Sequence, residues 1–365
     1  MGSPLKIGVI GVGKISEQYF AEFPKLPGLQ LVAVADLDEE RAAQVAEEQG
    51  VESLSVEVLL ADPRIDAVLN LTIPAAHVEI ATRALAAGKH VYSEKPLGLT
   101  PAESIAMLDL ARASGLRVGS APDTVLGTGI QTARNALDAG IIGVPVAATA
   151  FWGAPGHELW HPAPAFYYQP GGGPLFDMGP YYLTALVTML GSVVRVSGAA
   201  PRSERERVVA TGPRAGETIA VAVDTHVTAV LEHATGVAST LTVSFDVWAS
   251  HIPNIEIYGT HGTLSVPDPN QFSGAVQAYT AGDPEWREVP PSAGYADAGR
   301  GYGLADMARA IDTGRPHRTS GDLAFHVLEI MDAVARSARE HRVVKLESSV
   351  ERPEPVPAGA RPDTW

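Results

Sequence analysis

The sequence predicts an α/β chain in two parts: a parallel sheet wrapped by helices, then an α+β region with a large open, mostly antiparallel sheet. Two patterns predict it. Over residues 1–124 short apolar strands alternate with helical stretches through brief links, the signature of a parallel sheet with crossover helices. From Thr218 to Val266 strand-like runs follow one another through tight turns such as Ala234-Thr235-Gly236, the signature of hairpins. A length of 365 residues also exceeds what one hydrophobic core usually holds. Domains are therefore expected over 1–124 and 125–345, with the final helices of the second packing back on the first, and a proline-rich tail over 346–365.

Composition narrows the function. The chain carries 27 Lys and Arg against 42 Asp and Glu, a net charge of −15, with no basic block to offset it. Such a field repels nucleic acid and anionic membrane and suits a small neutral or cationic substrate. Cysteine is absent, which excludes disulfides, thiolate metal sites and thiol nucleophiles. Met1-Gly2-Ser3-Pro4 leads straight into a strand without a basic and apolar leader, and no apolar run approaches a membrane span. A cytoplasmic protein without membrane contact is expected.

The first strand, Lys6–Ile10, feeds Gly11-Val12-Gly13-Lys14-Ile15-Ser16, which opens a helix to about Phe23. This spacing is a dinucleotide fingerprint with Ser16 in the place of the third glycine. Gly11 permits the tight turn and Gly13 lets backbone approach a pyrophosphate, while the exposed N–H groups where the helix starts, around Lys14 and Ile15, stabilise that anion. A second strand, Leu29–Ala35, ends in Asp36. An acid there accepts hydrogen bonds from ribose hydroxyls and repels a 2′-phosphate, so NAD is expected rather than NADP. Residue 37 is Leu, so no arginine follows immediately to reverse that preference.

The alternation continues with a helix over Glu39–Gln49 closed by Gly50, and a short helix capped by Ser55 that stops at Asp62-Pro63. Next comes the strand Ala67–Leu71, then Thr72-Ile73-Pro74 and a helix over Ala75–Ala87 with His77 in its first turn. Asn70-Leu71-Thr72 matches a glycosylation acceptor but closes a buried strand pattern, so it is discounted. His90-Val91-Tyr92-Ser93-Glu94-Lys95-Pro96 then delivers one lysine at the carboxyl end of a parallel strand, where open α/β sheets bind their ligands. Thr100-Pro101-Ala102-Glu103 is a capping box for a helix to Ser114, and Arg117–Ser120 is a sixth strand completing the sheet. Together these elements make a Rossmann dinucleotide-binding domain.

A helix over Leu126–Asp138 and a strand over Pro145–Trp152 open the second part. Between residues 151 and 182 lie Phe151, Trp152, Trp160, Phe166, Tyr167, Tyr168, Phe176, Tyr181 and Tyr182, in a chain with only 5 Trp, 10 Tyr and 8 Phe. Aromatic faces beside a few polar groups suit the C–H faces of a sugar or polyol ring, with Trp160 and His161 expected on the substrate. Phe151, Phe176 and Tyr182 are expected in the core instead. Asp177 and Tyr181, four apart at the start of a helix to Leu190, can share a face. His157-Glu158-Leu159-Trp160-His161 fits the H-E-x-x-H zinc pattern, but Pro155-Gly156 before it and Pro162 and Pro164 after it leave no room for the helix that chemistry needs, so no metal is expected. Strands are expected over Asp224–Glu232, Val237–Val247, Ile255–Tyr258 and Thr263–Val266, helices near Gly303–Asp312 and Gly321–Ser337. Arg202–Arg207 reads as a solvated charge run, and Glu351–Asp363, with four prolines, as an extended strap or a disordered end.

Taken in order, Gly11-Val12-Gly13, Thr72-Ile73-Pro74 with His77, Ala87-Gly88-Lys89-His90-Val91, Glu94-Lys95-Pro96, Gly171-Gly172-Gly173 and Asp177 resemble the Gfo/Idh/MocA oxidoreductases over nearly the whole chain. The resemblance implies that Lys95 faces the nicotinamide and the reacting hydroxyl, with Thr72, Pro74 and Glu94 on the cofactor; His77, just past a strand end on the cofactor side, is read either as a cofactor contact or as structural. It also implies that Asp177 binds substrate hydroxyls. Where the family often has a histidine acid/base, Tyr181 stands, as in the glucose-fructose oxidoreductase branch. A free phenol titrates near pH ~10, and an adjacent ammonium such as Lys95 lowers that value. Tyr181 is thus the expected proton carrier, with His157 or His161 as the alternatives. The expected activity is NAD(P)-dependent hydride transfer to or from a secondary alcohol or ketone of a sugar or polyol, in a homodimer or homotetramer. The alternative of another class is a non-catalytic dinucleotide or sugar sensor acting through a protein partner.

Overall fold

The computed structural model describes residues 3–362, so Met1, Gly2 and residues 363–365, the end of the expected tail, lie outside the described residues. Six strands, β1 (Leu5–Ile10), β2 (Leu29–Ala35), β3 (Glu52–Ser53), β4 (Ala67–Asn70), β5 (His90–Ser93) and β6 (Val118–Ser120), form one parallel sheet in the order β3-β2-β1-β4-β5-β6. β4 is buried throughout and β5 from Val91 on, as apolar runs such as Val68-Leu69 and Val91-Tyr92 require of a sheet covered on both faces. β3 carries no strand pattern of its own; pairing with Ala33 and Val34 of β2 makes Glu52 and Ser53 a strand. The crossovers are α1 (Ser16–Glu22), α2 (Glu39–Gln49), α3 (Val56–Ala61), α4 (His77–Ala86) and α5 (Pro101–Ala113). Local chemistry sets their ends: Asp38, Ser55 and Thr100 accept at the starts of α2, α3 and α5, and Gly50 ends α2 at φ +66°.

Two units emerge among the described residues: those up to 128, those from 293 to 328 and those from 353 onward form the first, and residues 129–292 and 329–352 the second. The second holds α6 (Thr128–Asp138), α7 (Gly173–Asp177) and α8 (Gly179–Leu190). The helix expected from Asp177 to Leu190 is divided at Met178, because Pro180 has no N–H and its ring cannot sit beneath the carbonyl four residues earlier. Its large sheet runs β16-β15-β14-β13-β7-β12-β11-β8-β17, with β7 (Pro145–Gly153), β8 (Val193–Ala199), β11 (His226–His233), β12 (Ala238–Ser244), β13 (Ile255–Gly259), β14 (Gly262–Val266), β15 (Val276–Thr280), β16 (Asp283–Val289) and β17 (Val344–Lys345). A separate hairpin pairs β9 (Glu206–Val208) with β10 (Thr218–Ala220). All pairings in the large sheet are antiparallel except β7 with β12. Along β11 burial alternates: Val227, Ala229 and Leu231 face the core while Val230 is exposed on the opposite face.

The charge run Arg202–Arg207 is not a solvated loop at its far end. Arg207 on β9 is half-buried between Glu158, at 3.0 Å, and Asp246, and Glu158 also accepts from the Tyr168 hydroxyl. Asp246 accepts further from Thr225 and Ser203, both at 2.7 Å. A guanidinium withdrawn from water needs opposite charge beside it to offset the lost solvation. Its partners lie 49 and 39 positions away, so no local pattern announces them.

In the first unit are also α9 (Tyr302–Thr313) and the start of α10 (Gly321–Glu340), which ends in the second. The described part of the tail is an ordered strap: Arg318 donates to the carbonyls of Glu354 at 2.8 Å and Pro355 at 3.0 Å, and Val356 is fully buried. His317 lies in this region, 2.9 Å from the Val118 carbonyl, and burial pushes its imidazole down to about 4 from the usual 6.5. Between those values the unfolded chain binds a proton that the folded ring refuses, so stability is present above pH 6.5 and is lost as pH falls toward 4. The thermal midpoint is expected to decline over that window, and less steeply in His317→Gln; an unchanged slope in the variant removes His317 from the acid response.

Candidate active site

In the first unit the strand order reverses between β1 and β4, and ligands of open α/β sheets bind outside the carboxyl ends of the strands at such a point. The loops that follow these two strands touch there. Gly11 adopts φ +94°, and a Cβ on it would lie 2.7 Å from the Leu71 carbonyl carbon and 2.8 Å from the Thr72 nitrogen. Only glycine allows that approach. Gly13 differs: nothing lies within 4 Å of where its Cβ would be. No side chain caps α1 at Ile15, and the Ser16 hydroxyl turns back to the Gly13 carbonyl at 2.8 Å. Lys14 is exposed and pairs with Glu17 at 2.6 Å.

Asp36 closes β2 with its carboxylate already engaged. Oδ2 accepts from the Val12 amide at 2.8 Å, and Oδ1 accepts from the Asp38 amide and the Arg41 guanidinium, both at 2.9 Å. Burial opposes the charge, but the Asp38 and Val12 amides and Arg41 outweigh it and hold the carboxyl below its usual value. Arg41 is a residue that reading outward from Asp36 along the sequence misses, because it returns from the first turn of α2. An open backbone above Gly13, an uncapped helix start and an ionised acid at the end of β2 together fit a dinucleotide.

The lysine turn is tied down from several directions. Glu94 accepts from the Tyr19 hydroxyl at 2.8 Å and from the Lys95 amide at 3.0 Å, so its carboxylate braces the turn. Burial, then the Glu94 charge, push the Tyr19 phenol well above its ordinary value, so it stays protonated and donates. His77 is fully buried, with Nδ1 2.7 Å from the Pro96 carbonyl and Nε2 2.9 Å from the Thr72 carbonyl. Burial pushes its pKa down, and a neutral ring donates to one of the two. Asn70 is likewise buried and donates to the His77 carbonyl at 3.0 Å, while Thr72 donates to Asn70 at 2.7 Å. Pro74 opens the short turn that leads into α4. His77 and Glu94 are thus anchors of the Lys95 turn, a role that requires no contact with cofactor.

In the second unit Asp177 ends α7 and Tyr181 lies in the first turn of α8, where it is buried. Asp177 Oδ2 is 2.9 Å from His157 Nε2. The His157 ring centroid is 4.2 Å from Tyr167, 4.5 Å from Phe245 and 5.1 Å from Trp160. Outward from this cluster the rings continue: Trp160 to His161 at 5.3 Å, His161 to Phe166 at 5.6 Å, Phe166 to Tyr167 at 4.0 Å. Trp160 and Phe166 are 58% and 54% exposed, so the shelf has an open edge. Burial and the His157 ring push His161 below the usual imidazole range. The segment resembling a zinc motif makes one turn only, His157–Leu159, and Glu158 is turned away into the Arg207 cluster. Tyr182 is core, as expected, bonded to Asn254 at 2.8 Å and Asp268 at 3.2 Å; Phe151 and Phe176 are half-buried.

Comparison with known proteins supplies the rest. Residues 5–121 match the family described as "Oxidoreductase family, NAD-binding Rossmann fold", and residues 130–265 match the "GFO/IDH/MocA C-terminal domain". The chain is 31% identical over 355 residues to a dTDP-3,4-didehydro-2,6-dideoxy-alpha-D-glucose 3-reductase from Streptomyces violaceoruber, covering 92% of this chain and 95% of that one. It is 30% identical over 270 residues to a trans-1,2-dihydrobenzene-1,2-diol dehydrogenase from Bos taurus, covering 73% and 75%. Its fold matches the crystal structure of an NAD binding oxidoreductase from Klebsiella pneumoniae at a TM-score of 0.82 and 24% identity, over 95% of this chain and 100% of that one. With both family domains matched in order and a relative aligned from end to end, the chain belongs to the Gfo/Idh/MocA oxidoreductases, and its first unit is their NAD-binding Rossmann domain.

Proposed function

We propose that this oxidoreductase oxidises a secondary alcohol, or reduces the matching ketone, on a small neutral sugar or polyol. The observation that carries the reading is Asp177, a carboxylate held by His157 at the foot of an aromatic shelf with an open edge. Rings present apolar faces to the C–H side of a sugar, and a carboxylate accepts from its hydroxyls. The relatives support it: a 3-reductase of a didehydro sugar and a dehydrogenase of a cyclic diol both act at an oxygen-bearing ring carbon. Relatives named as enzymes also disfavour the sensor alternative.

The nicotinamide, when bound, accepts or supplies the hydride. For that reaction the second unit offers Asp177 to orient the substrate hydroxyl and Tyr181 to take its proton, and the first unit offers Lys95. In the reductive direction the same groups return the proton. Asp36 supports NAD over NADP, although Arg41 beside it is a cation within reach of a ribose substituent. Trp160 and His161 belong to the substrate wall. The open face of the large sheet, which carries Thr149, Thr228, Val230, Thr242 and Tyr258, is the surface through which copies would pair into a dimer or tetramer. A chain without cysteine suits the cytoplasm.

The test is absorbance of reduced nicotinamide while the purified protein and NAD are offered a panel of sugars and polyols at neutral and alkaline pH, repeated with NADP. Turnover of one compound is expected; silence with NAD binding confirmed separately overturns the reading. Lys95→Ala is expected to cut kcat by about 10²-fold or more while NAD affinity changes little, and normal turnover in that variant would place the chemistry elsewhere. Titration of Asp36→Ala with both dinucleotides should show weaker NAD binding and relaxed discrimination against NADP. Tyr181→Phe should lose turnover on a similar scale; undiminished activity moves the proton to a histidine.

A further inference from the structure

We propose that His157 is a positioning residue that aims the Asp177 carboxylate and that it does not carry the substrate proton. The inference rests on the reading of Asp177 as the group that meets the substrate hydroxyl. It bears on a choice that the sequence leaves between Tyr181, His157 and His161, and removes His157 from it.

The argument starts from where each ring nitrogen goes. Nε2 lies 2.9 Å from Asp177 Oδ2, and a carboxylate only accepts, so this contact is a hydrogen bond when Nε2 bears the proton. Nδ1 is fully buried and has no hydrogen-bond partner among the described residues. A proton relay needs both nitrogens, one facing the orienting carboxylate and the other facing the reacting group. Here the second nitrogen ends among rings. Tyr167, Phe245, Trp160 and Trp152 have centroids 4.2, 4.5, 5.1 and 6.2 Å from the imidazole, which is 5% exposed. The titratable groups around it are Asp177, the Tyr167 phenol, His161 on the same loop, and, at its main chain, Tyr168 with Glu158 behind it.

The main chain of His157 is fixed as firmly as the ring. Its amide donates to the Tyr168 hydroxyl at 3.1 Å, that hydroxyl donates to Glu158, and Glu158 pairs with Arg207. The buried charge cluster therefore sets the His157 backbone, the aromatic cage sets its ring plane, and the Nε2–H sets the carboxylate. A constrained donor of this kind shapes binding geometry more than it drives proton transfer.

Kinetics and NMR on the full-length protein separate the roles. With the panel compound that turns over, His157→Gln, which keeps an N–H donor, is expected to raise KM about tenfold and lower kcat by less than about threefold. His157→Phe is expected to lower kcat/KM by a further factor of about ten, and both variants should keep the wild-type pH profile. A loss of about 10²-fold or more in kcat for His157→Gln, or disappearance of a limb of that profile, overturns the proposal. Nitrogen-15 spectra of histidine-labelled protein need no substrate. One imidazole should carry a proton on Nε2, and its signal should vanish in His157→Gln and shift in Asp177→Asn. A ring at that position that carries its proton on Nδ1, or is unmoved by Asp177→Asn, also overturns it. If no compound turns over, the proposed activity fails while the spectra still decide the pairing.

Discussion

The close approach of Gly11 to the Leu71–Thr72 peptide is the constraint on which the first unit's functional end depends. It holds the loops after β1 and β4 together where the sheet order reverses, and from there hydrogen bonds run to the lysine turn. Asn70 fixes the His77 carbonyl, the His77 ring meets the Pro96 carbonyl, and Glu94, braced by Tyr19, holds the Lys95 amide. Each of these groups is buried, so each had to find a partner to offset its desolvation. Rigidity at Lys95 is thus a by-product of satisfying polar groups at the ends of buried strands.

The second unit meets the same requirement with full charges. Arg207, Glu158 and Asp246 would each be costly to bury alone; together with Tyr168, Thr225 and Ser203 they leave a set of short bonds that anchors the loop carrying His157. A loop between a β-strand and two short helices would otherwise be the mobile part of this unit. What it presents is a fixed carboxylate and a continuous ring surface.

Much of this was legible along the chain where the signal is local. The Gly11-Val12-Gly13 turn, Asp36 at the end of β2, the Ser55 and Thr100 caps and the glycine stops depend on neighbours a few residues away, and they appear where patterning places them. Less was legible where a partner is distant. Arg207 looks like surface charge until Glu158 and Asp246 are beside it, and the bonds by which His77 and Glu94 brace the Lys95 turn, to Pro96, Thr72 and Tyr19, have no local signature. The break at Met178 was readable in principle from Pro180, yet the apolar run to Leu190 masks it.

By itself, then, the sequence determined the alternation of strands and helices, the dinucleotide turn, the acid that follows it and the residue types available for chemistry. Those follow from φ preferences, capping and hydrophobic period, all of which act within a turn or two of chain. Tertiary structure decided how those residues are engaged: that Glu94 braces a peptide, that Arg207 is ion-paired to Glu158, and that His157 turns one nitrogen to Asp177 while the other is buried without a hydrogen-bond partner among the described residues. The physical reason is desolvation, since the cost of burying a polar group is set by partners that only the folded chain brings within hydrogen-bonding distance.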